Sequence, residues 1–179
     1  MYNPFTSQLY HAIRGNGAYL TTNNNSHEQI HKLPFRGSPE PLHGLNKALV
    51  AIEWGNERDG NNWNVKTSTF AALAGSPEIG GSMVHSLRSL GSAALNLCAV
   101  ASGTMDAYWE GGCWAWDVAA GWVVLEEAGG MMVSGNRGDF KPKIDGRVYL
   151  AVRGAEEADQ KRFVEEFWGH VKGKLEYDV

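Results

Sequence analysis

Cysteine is nearly missing from this chain: of 179 residues, only Cys98 and Cys113 carry a thiol. Two cysteines without metal-type spacing make neither a disulfide framework nor a zinc site, and both read as reduced thiols of a core. Histidine offers no metal centre either, since His11, His27, His31, His43, His85 and His170 lack ligand spacing. Long apolar runs are absent too. No stretch reaches membrane-spanning length, and Met1 to Ser7 has neither the basic nor the apolar segment of a secretion signal. The expected location is therefore cytoplasmic, with no membrane partner, and the sequon Asn24-Asn25-Ser26 carries little weight.

Positive charge is neither abundant nor clustered. Lys and Arg total 16 against 20 Asp and Glu, giving a net charge of -4 and a pI near 5.8. Nucleic-acid grooves select clustered Lys and Arg, so a nucleic-acid partner is set aside. An acidic protein that takes a phosphorylated substrate usually needs a cation between its carboxylates and the phosphate. There is no Walker loop, nucleophile elbow or paired-histidine zinc motif. Gly15-Asn16-Gly17 opens like a dinucleotide fingerprint, but neither a helix nor a third glycine follows; it reads as a hairpin turn.

What is present suits a folded domain. The chain is 43% hydrophobic and 20% charged, with 22 glycines and seven tryptophans, which suggests tight turns around a bulky core. Gln8 to Ile13 alternates polar and apolar, Arg14 to Gly17 turns, and Ala18 to Leu20 returns, as a β-hairpin does. Residues 21–46 are rich in Asn, Ser, Pro, Gly and His and read as a surface connection. Ala48 to Ile52 suits a strand buried on both faces. A helix is expected over about residues 63–74, closed by Gly75, and then a strand over Ser82 to Leu87. Gly91-Ser92 can cap a helix over Ala93 to Ser102, and Ala107 to Trp109 forms a short strand. Trp114 to Ala128 has only Asp117, Glu126 and Glu127 ionised and reads as a largely buried helix, stopped by Gly129-Gly130. Strands over Met131 to Val133 and Val148 to Val152 precede a helix over about 156–171, with Phe163 and Phe167 on one face. Alternating strands and helices imply an α/β layered architecture.

Three places carry candidate chemistry. Arg88 to Ala94 puts small residues and a hydroxyl at a helix start, which serves either as a plain serine cap or as an anion site. Asp117, near the start of its helix, is either an acid complementing the helix dipole or a metal ligand. Glu110 stands just before Gly111-Gly112 at a strand end, where active sites of α/β sheets gather. It is either an exposed carboxylate or an acceptor for a polyol's hydroxyls.

The run from Asp106-Ala107-Tyr108-Trp109-Glu110, through Trp116-Asp117-Val118-Ala119-Ala120-Gly121, to Glu127-Ala128-Gly129-Gly130 closely resembles the C-terminal signature of the inositol monophosphatases. Arg88 to Ala94 resembles the same family's preceding motif, and Asn3-Pro4 with Arg14 to Ala18 resembles the hairpin after its metal-binding region. Asn56 to Lys66 is similar to fungal members. The resemblance implies part of a layered αβαβα sandwich, a homodimer, and Mg2+-dependent hydrolysis of an inositol phosphate or related phosphomonoester. By position it implies that Asp117 is a catalytic metal ligand near the leaving group. Glu110 then contacts inositol hydroxyls, and Ala93 with Gly91 and Ser92 lines the sugar pocket. The seven-residue separation of Glu110 from Asp117 matches the inositol-phosphate branch. Bisphosphate nucleotidases share the Trp-Asp motif without this Glu, whereas fungal quinate-pathway relatives look similar.

The family's upstream Glu-Glu or Glu-Thr element and its Asp-Pro-Ile-Asp-Gly-Thr motif do not occur in these residues. Residues 1–46 are thus expected to be a remnant of a first sheet with a connecting loop, and 47–179 an α/β sheet domain carrying the Trp-Asp signature. The expectation is a truncated chain of poor activity and marginal folding. The rival reading is a non-catalytic remnant that binds ligand or pairs with a complete subunit.

Overall fold

The computed structural model describes residues 1–24, 27–37 and 39–178. Asn25 and Ser26 of the sequon lie outside them. Strands β1 (Tyr2–Asn3), β2 (Gln8–Ala12), β3 (Ala18–Asn24) and β4 (His27–Leu33) form an antiparallel sheet in that order. The second sheet holds β5 (Leu49–Ile52), β6 (Ser86–Arg88), β7 (Ala107–Gly111), β8 (Met131–Ser134) and β9 (Val148–Val152), in the order β6-β5-β7-β9-β8. Within it β6, β5 and β7 run parallel, while β9 is antiparallel to both β7 and β8. The helices are α1 (Gly60–Ala74), α2 (Ala93–Ser102), α3 (Ala115–Glu127) and α4 (Glu157–His170).

Alternation along the central strands builds two cores. Val50, Ile52, Ala107, Trp109, Leu150 and Val152 face one way, onto Val65 and Leu73 of α1 and Phe163, Phe167 and Trp168 of α4. Ala51, Tyr108, Tyr149 and Ala151 face the other way, onto α2 and α3, which in turn bury Ala18, Leu20 and Leu33 of the first sheet. The period of two sends neighbouring residues to opposite faces, and each large apolar side chain so buried contributes about 1.5–3 kcal/mol. The layers therefore run sheet, helix pair, sheet, helix pair, and the second core joins residues on both sides of position 46. Glu127 ties the first sheet to α3: its carboxylate accepts the N–H groups of Gly15 at 2.8 Å and Gly17 at 2.7 Å.

Three sequence expectations are corrected. His27–Leu33 is a strand and not a surface connection; it pairs with β3 from Ala18↔Leu33 to Asn24↔His27. Every side chain in it except Leu33 is exposed, so backbone pairing makes the strand and no apolar period announces it. Only Ser86–Arg88 of the expected Ser82–Leu87 strand is extended in the sheet. The N–H groups of Ser82, Met83 and Val84 instead bond the carbonyls of Ala72, Gly75 and Leu73, satisfying the open end of α1. That fold-back needs Gly81, where a Cβ would stand 2.1 Å from the Gly75 carbonyl oxygen. Finally, α3 is not largely buried. Trp114 and Trp116 stack on each other at 5.2 Å and stay 44% and 73% exposed.

Candidate active site

The three parallel strands end on one side of the second sheet, and a cavity of about 690 Å³ opens there. Its position follows from the fold: carboxyl ends of parallel strands and amino ends of the next helices meet at such an edge. Asp117, Glu110, Ala93, Gly91 and Ser92, all picked out in the sequence, line this one cavity.

Glu110 stands near the end of β7, on the same face as Tyr108, and is only 9% exposed. The Tyr108 hydroxyl donates to its Oε2. Burial pushes its carboxyl up to about 7; the charges of Glu53 and Asp117 raise it further, and Lys66 opposes them. A neutral carboxylic acid near neutrality can donate as well as accept.

Ser92 caps α2: its hydroxyl accepts the Leu95 N–H at 3.3 Å. Gly91, at φ +76, makes the turn into the helix that residues with a Cβ rarely adopt. Ala93 and Ala94, whose N–H groups come first in α2 and have no partner within the helix, line the cavity. Beneath this loop lies Glu53, 7% exposed, which the sequence reading missed. Its Oε1 accepts from Leu90 N at 2.7 Å, Gly91 N at 2.8 Å and Asn96 Nδ2 at 2.8 Å, fixing the approach to α2.

Asp117 opens α3. Its Oδ2 accepts the N–H of Trp114 at 2.8 Å, so the capping role is satisfied by one carboxylate oxygen, and the side chain remains half-buried at the cavity wall. Across the cavity stands Lys66, a second residue missed in the sequence. It is 2% exposed, and its ammonium donates to Gly111 O at 2.9 Å and Trp54 O at 3.1 Å. Burial lowers its pKa from the usual lysine value, opposed by the charges of Glu110 and Glu57. The buried residues of α1 are Asn62, Val65, Lys66, Thr69 and Leu73, a helical stripe on which Lys66 falls; that period was the available signal.

The remaining wall comes from residues no motif marks. Arg147 stacks 3.7 Å from the centre of the Trp114 ring and donates to Gly112 O at 2.8 Å and Asp178 O at 2.7 Å. Glu176, Tyr177 and Asp178 line it as well. Cys113 also lines the cavity, with its thiol pushed up to about 12 by burial, so it is a neutral free thiol.

The donors are oxygens, which suit a hard cation. Among the described residues, however, no group of three or more His, Cys, Asp or Glu converges to hold one. The residues present do not by themselves make up a magnesium site.

The sequence matches the model of the inositol monophosphatase family over residues 1–172. It is 50% identical to inositol monophosphatase 2 of Saccharomyces cerevisiae, over 99% of this chain and 57% of that protein. It is 40% identical to inositol monophosphatase 1 of the same yeast, over 99% of this chain and 58% of the relative. Quinic acid degradation cluster protein x of Neurospora crassa is 36% identical over 97% of the chain. Among solved structures, inositol monophosphatase from Anabaena superposes with a TM-score of 0.65 at 26% identity, covering 94% of this chain and 58% of that one. SuhB of Mycobacterium tuberculosis shares the fold with a TM-score of 0.65 at 24% identity, covering 93% and 57%. The chain thus spans somewhat over half the length of these relatives. On its matching signature, its layered sheets and the cavity at the strand ends, the chain belongs to the inositol monophosphatase family.

Proposed function

We propose that the chain forms the alcohol-binding side of an inositol-phosphate phosphatase, whose reaction is Mg2+-dependent hydrolysis of myo-inositol 1-phosphate to inositol and phosphate. The observation that carries the reading is one cavity onto which Glu110, Asp117 and the amino end of α2 all open. Glu110, held near neutrality, suits vicinal hydroxyls because it can accept from one and, when protonated, donate to another. The free N–H groups at Ala93 and Ala94 suit an electron-rich oxygen, and the α2 dipole favours negative charge there. Asp117 is the ligand this chain would bring to the metal. Bound, the metal would supply Lewis-acid stabilisation of phosphate charge.

The other carboxylates that this reading requires do not converge with Asp117 among the described residues. The same reading places the protein in the cytoplasm as a homodimer acting on a small phosphomonoester. It is compatible with the lack, among the described residues, of a helix long and apolar enough to cross a membrane. A second reading keeps the site but changes the substrate, and the 36% identity to the Neurospora quinate-cluster protein favours it.

The test joins the chain to the amino-terminal region of the yeast relative that is 50% identical and follows phosphate release from myo-inositol 1-phosphate. Mg2+-dependent turnover is expected, with Asp117→Asn lowering kcat by about 100-fold or more, the upper end for removing a mere outer-shell partner. Turnover of other phosphomonoesters but not this one would favour the second reading. A fully active Asp117→Asn protein would sink both.

A further inference from the structure

The segment after α4 returns to the cavity, and its route is fixed by asparagine side chains. Asn136 grips the Leu175 backbone twice, accepting its N–H at 2.9 Å and donating to its carbonyl at 2.8 Å. Asn62, itself 8% exposed, grips Glu176 the same way at 2.9 and 2.8 Å, and Asn61 donates to Lys174 O at 2.9 Å. A side-chain amide that accepts and donates to one residue imitates a strand partner. Leu175 between these grips is 2% exposed and belongs to the first core. The segment is therefore a built wall and not a loose end.

What the wall presents is Tyr177. Its ring lies over Gly111 and Gly112, the two residues after Glu110. A Cβ at Gly111 would stand 2.7 Å from Tyr177 Cε2, and one at Gly112 would stand 3.0 Å from Cε1. The Tyr177 hydroxyl donates to Glu57 Oε2 at 3.2 Å, and the Lys66 ammonium and Arg147 guanidinium lie 5.8 and 5.3 Å from the ring centre. Tyr177, Glu110 and Ala93 line the same cavity. A half-open aromatic wall beside a hydroxyl-binding carboxylate suits a compact cyclic polyol, whose C–H faces pack on rings while its hydroxyls reach the acid. The same wall leaves less room for a long or branched alcohol.

Resting on the function proposed above, we propose that Tyr177 is a substrate-contacting specificity residue. Its ring, seated on Gly111-Gly112 and carried by the Asn62–Asn136 strap, selects small cyclic polyol phosphates over bulkier phosphomonoesters.

The test measures kcat/KM with Mg2+ for the chain joined to the amino-terminal region of the yeast relative that is 50% identical. The two probes are myo-inositol 1-phosphate and adenosine 5′-monophosphate. The wild-type joined protein is expected to prefer the inositol phosphate. Tyr177→Ala is expected to cut that preference about 10-fold or more, and Tyr177→Phe, which keeps the ring, by less than about threefold, as pocket-shape discrimination of this kind allows. Saturation transfer between bound inositol protons and the Tyr177 ring is the second readout, and it decides alone should Tyr177→Ala fail to fold. An unchanged preference in Tyr177→Ala with a native melting temperature, or a wild-type joined protein with no transfer to the ring, overturns the inference. Turnover of neither probe by the wild-type joined protein overturns the function proposed above, whereas normal turnover with an unchanged preference in Tyr177→Ala overturns this inference alone.

Discussion

Glu110 shows how much one buried side chain decides. Its carboxyl sits at about 7 in the folded protein against an ordinary 4.5, first because it is buried, then because Glu53 stands near it. Between those values the folded protein keeps a proton that the unfolded chain has lost. Stability is therefore greatest below about 4.5 on this account and falls as pH rises through that window, by an amount on the order of 3 kcal/mol, levelling above about 7. Thermal melts at pH 5 and pH 8 check this: Glu110→Gln should flatten the difference and raise the melting temperature mainly at pH 8. Equal pH dependence in the variant and the wild type would remove Glu110 from the account.

The residue scale also marks what the sequence could show. Glu110 and Asp117 are legible because they sit within one signature run, and Ala93 because it sits in the motif that precedes it. Glu53, Lys66, Arg147 and Tyr177 were missed because their meaning lies in partners far along the chain, as with Glu53 to Gly91, Lys66 to Gly111, Arg147 to Gly112 or Tyr177 to Glu57. Asp117 itself stood between cap and ligand. Its bond to Trp114 N secures the cap, and its place on the cavity wall leaves the ligand role as the proposal to test.

At the scale of elements, capped and strongly patterned segments were legible. Helix α2 begins after Ser92 and ends at Gly103, at φ +79, and β9 spans Val148–Val152 as its apolar run implies. Strand β4 was illegible because a strand with one exposed polar face after another has no pattern to read. The α2–α3 contact, which holds both cavity helices in place, depends on Gly121. A Cβ there would stand 2.5 Å from Leu97 Cδ1 and 2.7 Å from Leu97 Cβ. Gly121→Ala should therefore overpack this joint and cost about 1–3 kcal/mol or more, despite the better helix propensity of alanine. Denaturant unfolding measures it; a variant as stable as the wild type would show that the helices can slide apart freely.

At the scale of the whole molecule, the first sheet is covered on one face only. Leu9 and Ile30 flank the buried Thr21 in one cross-strand row and are themselves 40% and 62% exposed. Ile13 and Phe5 are also exposed, at 70% and 97%. An apolar face of this kind favours association and weakens an isolated chain. The 179 residues should melt broadly, or associate as concentration rises, in light scattering alongside calorimetry. A sharp, concentration-independent melt of a monomer would contradict this.

On the proposed function, these residues bring the alcohol-binding side of a phosphatase site, with no other carboxylates converging on Asp117 among the described ones. Phosphate release from myo-inositol 1-phosphate with Mg2+, measured for the chain alone and for the chain joined to the yeast relative's amino-terminal region, tests it most directly. Little release is expected from the chain alone and sustained release from the joined protein. Release at a full enzymatic rate by the 179 residues alone would contradict it.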